Sequence, residues 1–245
     1  MSEEILASSS LAIEARGLTK LFGERPALRD VDLKVNKGEH LVIFGPNGAG
    51  KTTLIKILAS LVKPTSGNIW LDGININDKQ VQIRQKLSLV SHQTFLYDDL
   101  SIYENLRFFG KMYDVQNLEH QIKRLVSWVQ LDSRINDRVG TLSHGMQQRV
   151  SIARAILHNP SILFLDEPEV GLDLHVSSVI NDLINGIDSN NRTVVMTTHN
   201  LERGLELSSH VIILDRGKIV YEANKDKIVI PDFRKVYEQY TETSK

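Results

Sequence analysis

The sequence predicts an α/β fold: a largely parallel sheet with flanking helices, an antiparallel β segment at its start, and an inserted helical lobe. Three observations carry this. A glycine loop lies between an apolar run (Leu41, Val42, Ile43, Phe44) and a segment with apolar residues at helical spacing (Leu54, Ile57, Leu58, Leu61). A second apolar run, Ile162–Leu165, ends in two acids, as a strand buried on both faces does at a ligand-bearing edge. Between them, from about residue 94 to 158, strand patterning gives way to apolar residues three and four apart.

The loop is Gly45-Pro46-Asn47-Gly48-Ala49-Gly50-Lys51-Thr52-Thr53, which fills every position of the phosphate-binding pattern GxxxxGK[ST] in a strand–loop–helix setting. Glycines let backbone N–H groups turn inward around a phosphate because they tolerate positive φ and bring no Cβ. The helix starting near Lys51 adds its unpaired N–H groups and the positive end of its dipole. Lys51 supplies a mobile charge for the β- and γ-phosphates, and the Thr52 hydroxyl is placed for Mg²⁺. A turn that merely joins strand to helix is the bland alternative; the complete motif and both flanks favour a nucleoside triphosphate site.

Composition narrows the class further. At 245 residues the chain suits one large α/β domain with an inserted lobe. Lys and Arg (29) nearly cancel Asp and Glu (30), so no basic field points to nucleic acid or anionic lipid. Without cysteine there are no disulfides or thiolate zinc sites, which fits a reducing compartment. No apolar run is long enough to span a bilayer as a helix. Residues 1–10 lack a basic start and a long apolar centre, and read as a disordered tail rather than a signal peptide.

In chain order, Leu11–Ala15 and Val31–Val35 alternate as half-buried strands, with a turn at Lys20–Glu24 between them. After the loop and its helix, Lys63–Gly67 is a turn cluster, and Asn68–Leu71 with Asp72-Gly73 predicts a hairpin. Leu87–Val90 is a short strand ending at Ser91-His92-Gln93. Helices of the lobe carry Ile102, Leu106, Phe109 and Met112, then Ile122, Leu125, Val126 and Val129; another runs from Gly145 towards Pro160. Then follow a strand at Ile162–Leu165, a helix at Val176–Ile187, a strand at Thr193–Thr197, a short helix at Leu201–Leu207, a hairpin of Val211–Leu214 with Ile219–Tyr221, and a terminal helix within 231–245. The core is thus expected at about 11–93 and 159–222, with the lobe at about 94–158. Apart from His199, taken up below, the histidines show no paired metal-ligand spacing; His40, His120, His158, His175 and His210 read as surface or boundary residues.

The two acids after Ile162–Leu165 are Asp166, placed to hold Mg²⁺ through water beside Thr52, and Glu167, which points differently and is placed to take a proton from attacking water. An acidic turn ending a core strand is the alternative. Thr141-Leu142-Ser143-His144-Gly145-Met146-Gln147-Gln148-Arg149 resembles the signature motif of ABC-family ATPases, usually LSGGQ, and stands before the two acids where that family keeps it. The resemblance runs from about Leu11 to Tyr221. It implies a P-loop NTPase core of the RecA-like type, with ATP and Mg²⁺ as ligands.

The same resemblance implies roles for further residues. Phe22 matches the aromatic that stacks on adenine, Gln93 the glutamine that spans Mg²⁺ and the attacking water, Gly171-Leu172-Asp173 the short loop after the acids, and His199 the switch histidine at a strand end. His144 replaces a glycine and Met146 a glutamine of the usual signature, but Ser143 and Gly145 remain at a helix start, a second terminus suited to a phosphate. A helix cap without ligand is the alternative. The family arrangement has two subunits head to tail, Ser143 and Gly145 of one closing on the γ-phosphate held by Lys51 of the other.

Such a subunit is expected to power a separate transmembrane permease from the inner face of the membrane, as a homodimer or with a related ATPase. The Ser-x-Gly-Met signature leans towards ABC-2-type exporters, including the haem-exporter-like group, and the chain stops before the extra C-terminal domain usual in sugar importers. Phe95, Leu96, Tyr97, Leu100, Ile102 and Tyr103 form an apolar-aromatic cluster where the resemblance places the permease contact, and about half of them are expected to pack the lobe's own core. A non-transport ABC ATPase acting on DNA or ribosomes is the alternative. It would be expected to carry paired nucleotide domains, coiled coils or cysteine zinc modules, and none is present. A small-molecule kinase or a GTPase fits less well still, since no guanine-reading NKxD segment occurs.

Overall fold

The computed structural model describes residues 10–78, 80–168, 174–185, 192–228 and 230–242. Two sheets form its frame. The first has the order β2-β1-β4-β5, all antiparallel: β1 (Leu11–Phe22), β2 (Arg25–Asn36), β4 (Ser66–Leu71) and β5 (Ile74–Asn75). The second is six-stranded, β10-β9-β3-β8-β7-β6, built from β3 (His40–Phe44), β6 (Leu87–Ser91), β7 (Ile162–Asp166), β8 (Thr193–Thr197), β9 (His210–Asp215) and β10 (Lys218–Asn224). Its strands run parallel except β10, which returns antiparallel on β9.

Both faces of the larger sheet are buried, which explains why β7 reads as an unbroken apolar run. Alternate residues feed two cores. Leu41, Ile43, Phe164, Val195 and Ile212 face the first sheet and α1 (Lys51–Leu58). Val42, Phe44, Leu163, Leu165 and Met196 belong to the core that takes in the helical elements. These are α3 (Ile102–Met112), α4 (Leu118–Trp128), α5 (His144–Ile156), α6 (Leu174–Asn185), α7 (Leu201–Leu207) and α8 (Ile230–Glu242). A further helix, α2 (Gln80–Lys86), precedes β6.

Several sequence expectations change. The turn placed at Lys20–Glu24 is tighter: β1 runs on through Phe22 and pairs with Arg25, so Lys20 and Leu21 are strand residues. Shifts in register around Leu18 and Lys20, with Gly17 at φ +60°, broke the alternation that would have revealed the full strands. α1 ends at Leu58 rather than reaching Leu61, because Ser60 turns to φ +61° and leaves Leu61 exposed. α2 was missed, being short and largely polar. His210 is no boundary residue: at 5% exposure it is buried between Glu39 and Glu222.

The helix starts follow from local chemistry. Ser101 caps α3 and closes a capping box: its Oγ accepts from Glu104 N, while Glu104 Oε2 accepts from Ser101 N at 2.8 Å. That capping box marks where the lobe's first helix begins. The tail at 1–9, Gly171-Leu172-Asp173, and the ends of the expected helices at 186–187 and 243–245 lie outside the described residues.

Candidate functional site

The phosphate loop leaves β3 and enters α1 with no room to spare. A Cβ on Gly45, where φ is +149°, would stand 2.1 Å from Leu214 O; one on Gly50, at φ +107°, would stand 2.5 Å from Ala27 O. Both positions therefore demand glycine, for space and for backbone conformation together. Gly50 is also the N-terminal cap of α1, so the free N–H groups of the first turn face the loop. Lys51, 5% exposed, folds back over the loop, its Nζ donating to Gly45 O (2.8 Å) and Pro46 O (3.1 Å). Burial holds its ammonium below the usual lysine value, an effect that Glu167 and Asp166 oppose.

The acids arrive from the neighbouring strands. Asp166 ends β7, is 2% exposed, and its Oδ1 accepts from Thr52 Oγ1 (3.1 Å) and Thr197 Oγ1 (2.8 Å). Strand β8 thus braces the carboxylate that β7 delivers to the start of α1. At Glu167 the backbone turns to φ +49°, and its N–H donates to Thr197 Oγ1 at 3.0 Å. That turn sends the side chain elsewhere: Glu167 Oε1 lies 2.6 Å from His199 Nε2 and 3.8 Å from Lys51 Nζ. Lys51, Thr52, Asp166, Glu167 and His199 therefore converge at the carboxyl ends of β3, β7 and β8, where open α/β sheets hold ligands.

Gln93 stands at the same edge by register. Ser91 pairs with Asp166, and Gln93 follows two residues later in an exposed turn whose N–H donates to Ser91 Oγ (3.2 Å). Phe22 is 55% exposed at the tip of the β1–β2 hairpin, with Lys20 Nζ 5.1 Å from its ring centre. The hairpin is anchored beside the loop, since Ala27 in β2 abuts Gly50. Ser143 and Gly145 stand apart from this cluster at the start of α5. Ser143 is exposed and caps the helix, its Oγ accepting from Met146 N (3.3 Å) and keeping its own O–H to donate.

The donor set suits a hard cation. Thr52 and Asp166 offer oxygen atoms within hydrogen-bond reach of each other, and Mg²⁺ typically takes one or two such protein ligands plus phosphate and water. No cluster of three or more His, Cys, Asp or Glu that would cage a metal occurs among the described residues. No helix among them is long and apolar enough to cross a membrane.

A glycine loop opening a helix, with paired acids on a neighbouring parallel strand, defines a phosphate-loop nucleoside triphosphatase. The comparisons with known proteins narrow this class to one family. Residues 28–170 match the family described as "ABC transporter", and the chain belongs to it. It is 36% identical to the ABC transporter ATP-binding protein NatA of Bacillus subtilis (strain 168) over 200 residues, 80% of each chain. It is 32% identical over 219 residues to the Nod factor export ATP-binding protein I of Cupriavidus pinatubonensis, covering 89% of this chain and 67% of that one. Among solved structures, it superposes with a TM-score of 0.79 and 30% identity on an ATP-binding cassette solved as a dimer in a post-hydrolysis state with ADP and Pi, covering 87% of this chain and 98% of that one. The protein is an ATP-binding and ATP-hydrolysing subunit of an ABC transporter; such subunits dimerise and work with membrane components.

Proposed function

We propose that two copies of this chain, or one copy and a related ATPase, pair head to tail and drive export through a separate permease at the inner face of the membrane. The observation that carries the reading is the presence of two helix N-termini suited to phosphate. The first, at Gly50–Lys51, is wrapped by its own loop; the second presents Ser143 at the surface. Export is supported by relatives such as the Nod factor export protein. The balance of 29 basic against 30 acidic residues offers no footprint for nucleic acid.

In this reading residues 45–53 cradle the triphosphate and Phe22 stacks on the base. Glu167 accepts the proton of the attacking water, and His199 orients its carboxylate and reaches the γ-phosphate. Thr52, Asp166 and Gln93 would hold Mg²⁺, which when bound would neutralise charge on the triphosphate. The lobe at about 94–158 carries the permease contact. Tyr97, Phe108 and Met112 are 50%, 45% and 55% exposed, and Tyr97 packs edge-on to Phe108 with ring centres 5.2 Å apart. Of the cluster read from sequence, Ile102 is fully buried, so the surface patch draws instead on Phe108 and Met112 from α3.

A mixing experiment tests the pairing. Lys51→Ala and Ser143→Arg each disable both shared sites of a homodimer, whereas a mixed dimer keeps one intact site. Two inactive preparations that regain ATP hydrolysis on mixing support the reading; no recovery in a mixture that demonstrably exchanges subunits overturns it. Phe108→Glu should abolish co-purification of the membrane subunit while nucleotide binding persists.

A further inference from the structure

Phe44 closes β3, so its neighbour in the chain is Gly45 of the phosphate loop. Its fully buried ring lies against the backbone of α7: a Cβ on Gly204 would stand 2.5 Å from Phe44 Cζ and 2.8 Å from Thr198 Cγ2. Gly204 belongs to the first turn of α7, where its N–H donates to Asn200 O at 2.9 Å. Thr198 and Asn200 flank His199. Glycine is a poor helix former, so its use inside this short helix is explained by the ring it admits. The ring of Phe233, from α8, meets that same ring of Phe44, with centres 5.3 Å and planes 57° apart.

Among the described side chains of α8, Phe233 alone is buried, at 2% exposure. Val236 and Tyr237 are half-buried, and Arg234 pairs with Glu202 of α7 at 3.2 Å between exposed side chains. The phosphate loop is fixed independently of this ring. Gly217 N donates to Ala49 O at 2.9 Å, and Leu214 O and Ala27 O close on Gly45 and Gly50 too tightly for a Cβ. His199 is held more loosely: its side chain is 42% exposed and pairs with Glu167. The helix after it is tied outward by polar contacts, of Arg203 with Asn181 and of Arg234 with Glu202. A void left beside Phe44 is therefore closed by α7 moving in, which shifts His199 and leaves the loop in place.

We propose that Phe233 is a positioning residue for ATP hydrolysis. Wedged against Phe44, it keeps that ring on Gly204 and so holds α7, and the histidine before it, where His199 Nε2 meets Glu167. This rests on the role given to His199 above. The terminal helix thereby serves the hydrolytic step without touching the nucleotide, and its loss slows turnover while binding persists.

Phe233→Ala should lower kcat for ATP hydrolysis by about 10- to 10²-fold, the scale of a small misplacement at a reacting centre, with KM and ATP affinity unchanged. Phe233→Leu, which keeps apolar bulk against Phe44, should restore most of the turnover. Gly204→Ala, whose methyl group forces Phe44 and α7 apart, should reproduce the loss from the other direction. A double-mutant cycle with His199→Ala, read by single-turnover hydrolysis at excess enzyme, isolates the route: in that background Phe233→Ala should change the rate no further. Should Phe233→Ala not fold, Phe233→Val carries the same cycle. An unchanged kcat, a loss confined to ATP affinity, or an equal loss with and without His199 overturns the brace and leaves the role of His199 standing. A His199→Ala variant that hydrolyses ATP at the parental rate sinks that role, and the brace with it.

Discussion

Glu167 Oε1 lies 2.6 Å from His199 Nε2, so the acid that follows β7 and the histidine that follows β8 meet at the ends of two neighbouring strands. The positive φ of Glu167 makes the meeting possible, since it turns this side chain away from the direction Asp166 takes. A base oriented by a second group at a strand edge is the arrangement that general-base chemistry needs.

Glu167→Gln should therefore keep ATP binding and lose about 10²- to 10⁴-fold in turnover, the usual size of a general-base effect. It should also accumulate an ATP-bound dimer. Single-turnover kinetics with size-exclusion chromatography checks both, and an ATP-loaded variant that stays monomeric at high concentration counts against the shared site.

Lys51→Ala should abolish nucleotide binding, because it removes the ammonium that the loop carbonyls of Gly45 and Pro46 hold within the cradle. Titration with a fluorescent ATP analogue measures this. Normal affinity would remove the phosphate-loop assignment.

Ser143→Arg should leave monomer binding of ATP intact and suppress hydrolysis, since the exposed side chain does no more than cap Met146 N among the described residues. Losing the cap alone would cost about 1 kcal/mol of stability without touching turnover in the folded protein. Unchanged steady-state turnover would reduce the signature to that cap.

Stability should depend on pH through His210, which sits 3.0 Å from Glu39 Oε1 at Nδ1 and 3.0 Å from Glu222 Oε1 at Nε2. Burial disfavours the imidazolium, but the two carboxylates outweigh it and raise the pKa above 6.5. For Glu39 burial works the other way, yet His210 and the Asn36 N–H outweigh it and hold the carboxyl below 4.5. His210 therefore stabilises fully below 6.5, and its contribution fades as pH rises through the raised folded value. Glu39 contributes above 4.5 and fades as pH falls. Thermal melts should show greatest stability between these limits. His210→Asn should flatten the alkaline decline, each kcal/mol lost lowering Tm by about 2–4 °C; an identical alkaline slope in the variant would contradict the pairing.

How much was legible follows the range of the forces involved. The strand Thr193–Thr197 and the helix Leu201–Leu207 fall at the residues their patterns mark, because the spacing of apolar residues is a local signal. Residues 45–53 and the acids 166–167 were legible for the same reason. The register shifts of β1 around Gly17, the end of α1 at the positive φ of Ser60 and the exposure of Phe108 and Met112 were not, since residue type alone marks neither a serine at positive φ nor which apolar side chain finds a partner.

The amino-acid order by itself determined the α/β class and the phosphate loop, because a loop that must admit a phosphate needs glycine, lysine and threonine at fixed spacing. Only the tertiary structure decided that Glu167 faces His199, that His210 is buried between two acids, and that the Gln93 turn hangs from α5 by Gln148 and Ser151. Glu167 and His199 are 32 positions apart, His210 and Glu39 171, and the α5 side chains and the turn they hold 57; only Glu222, 12 positions from His210 on the adjacent strand β10, is near in the chain. Hydrogen bonds and charges act over a few ångströms, so such pairs take effect only once the sheet has brought the strands together.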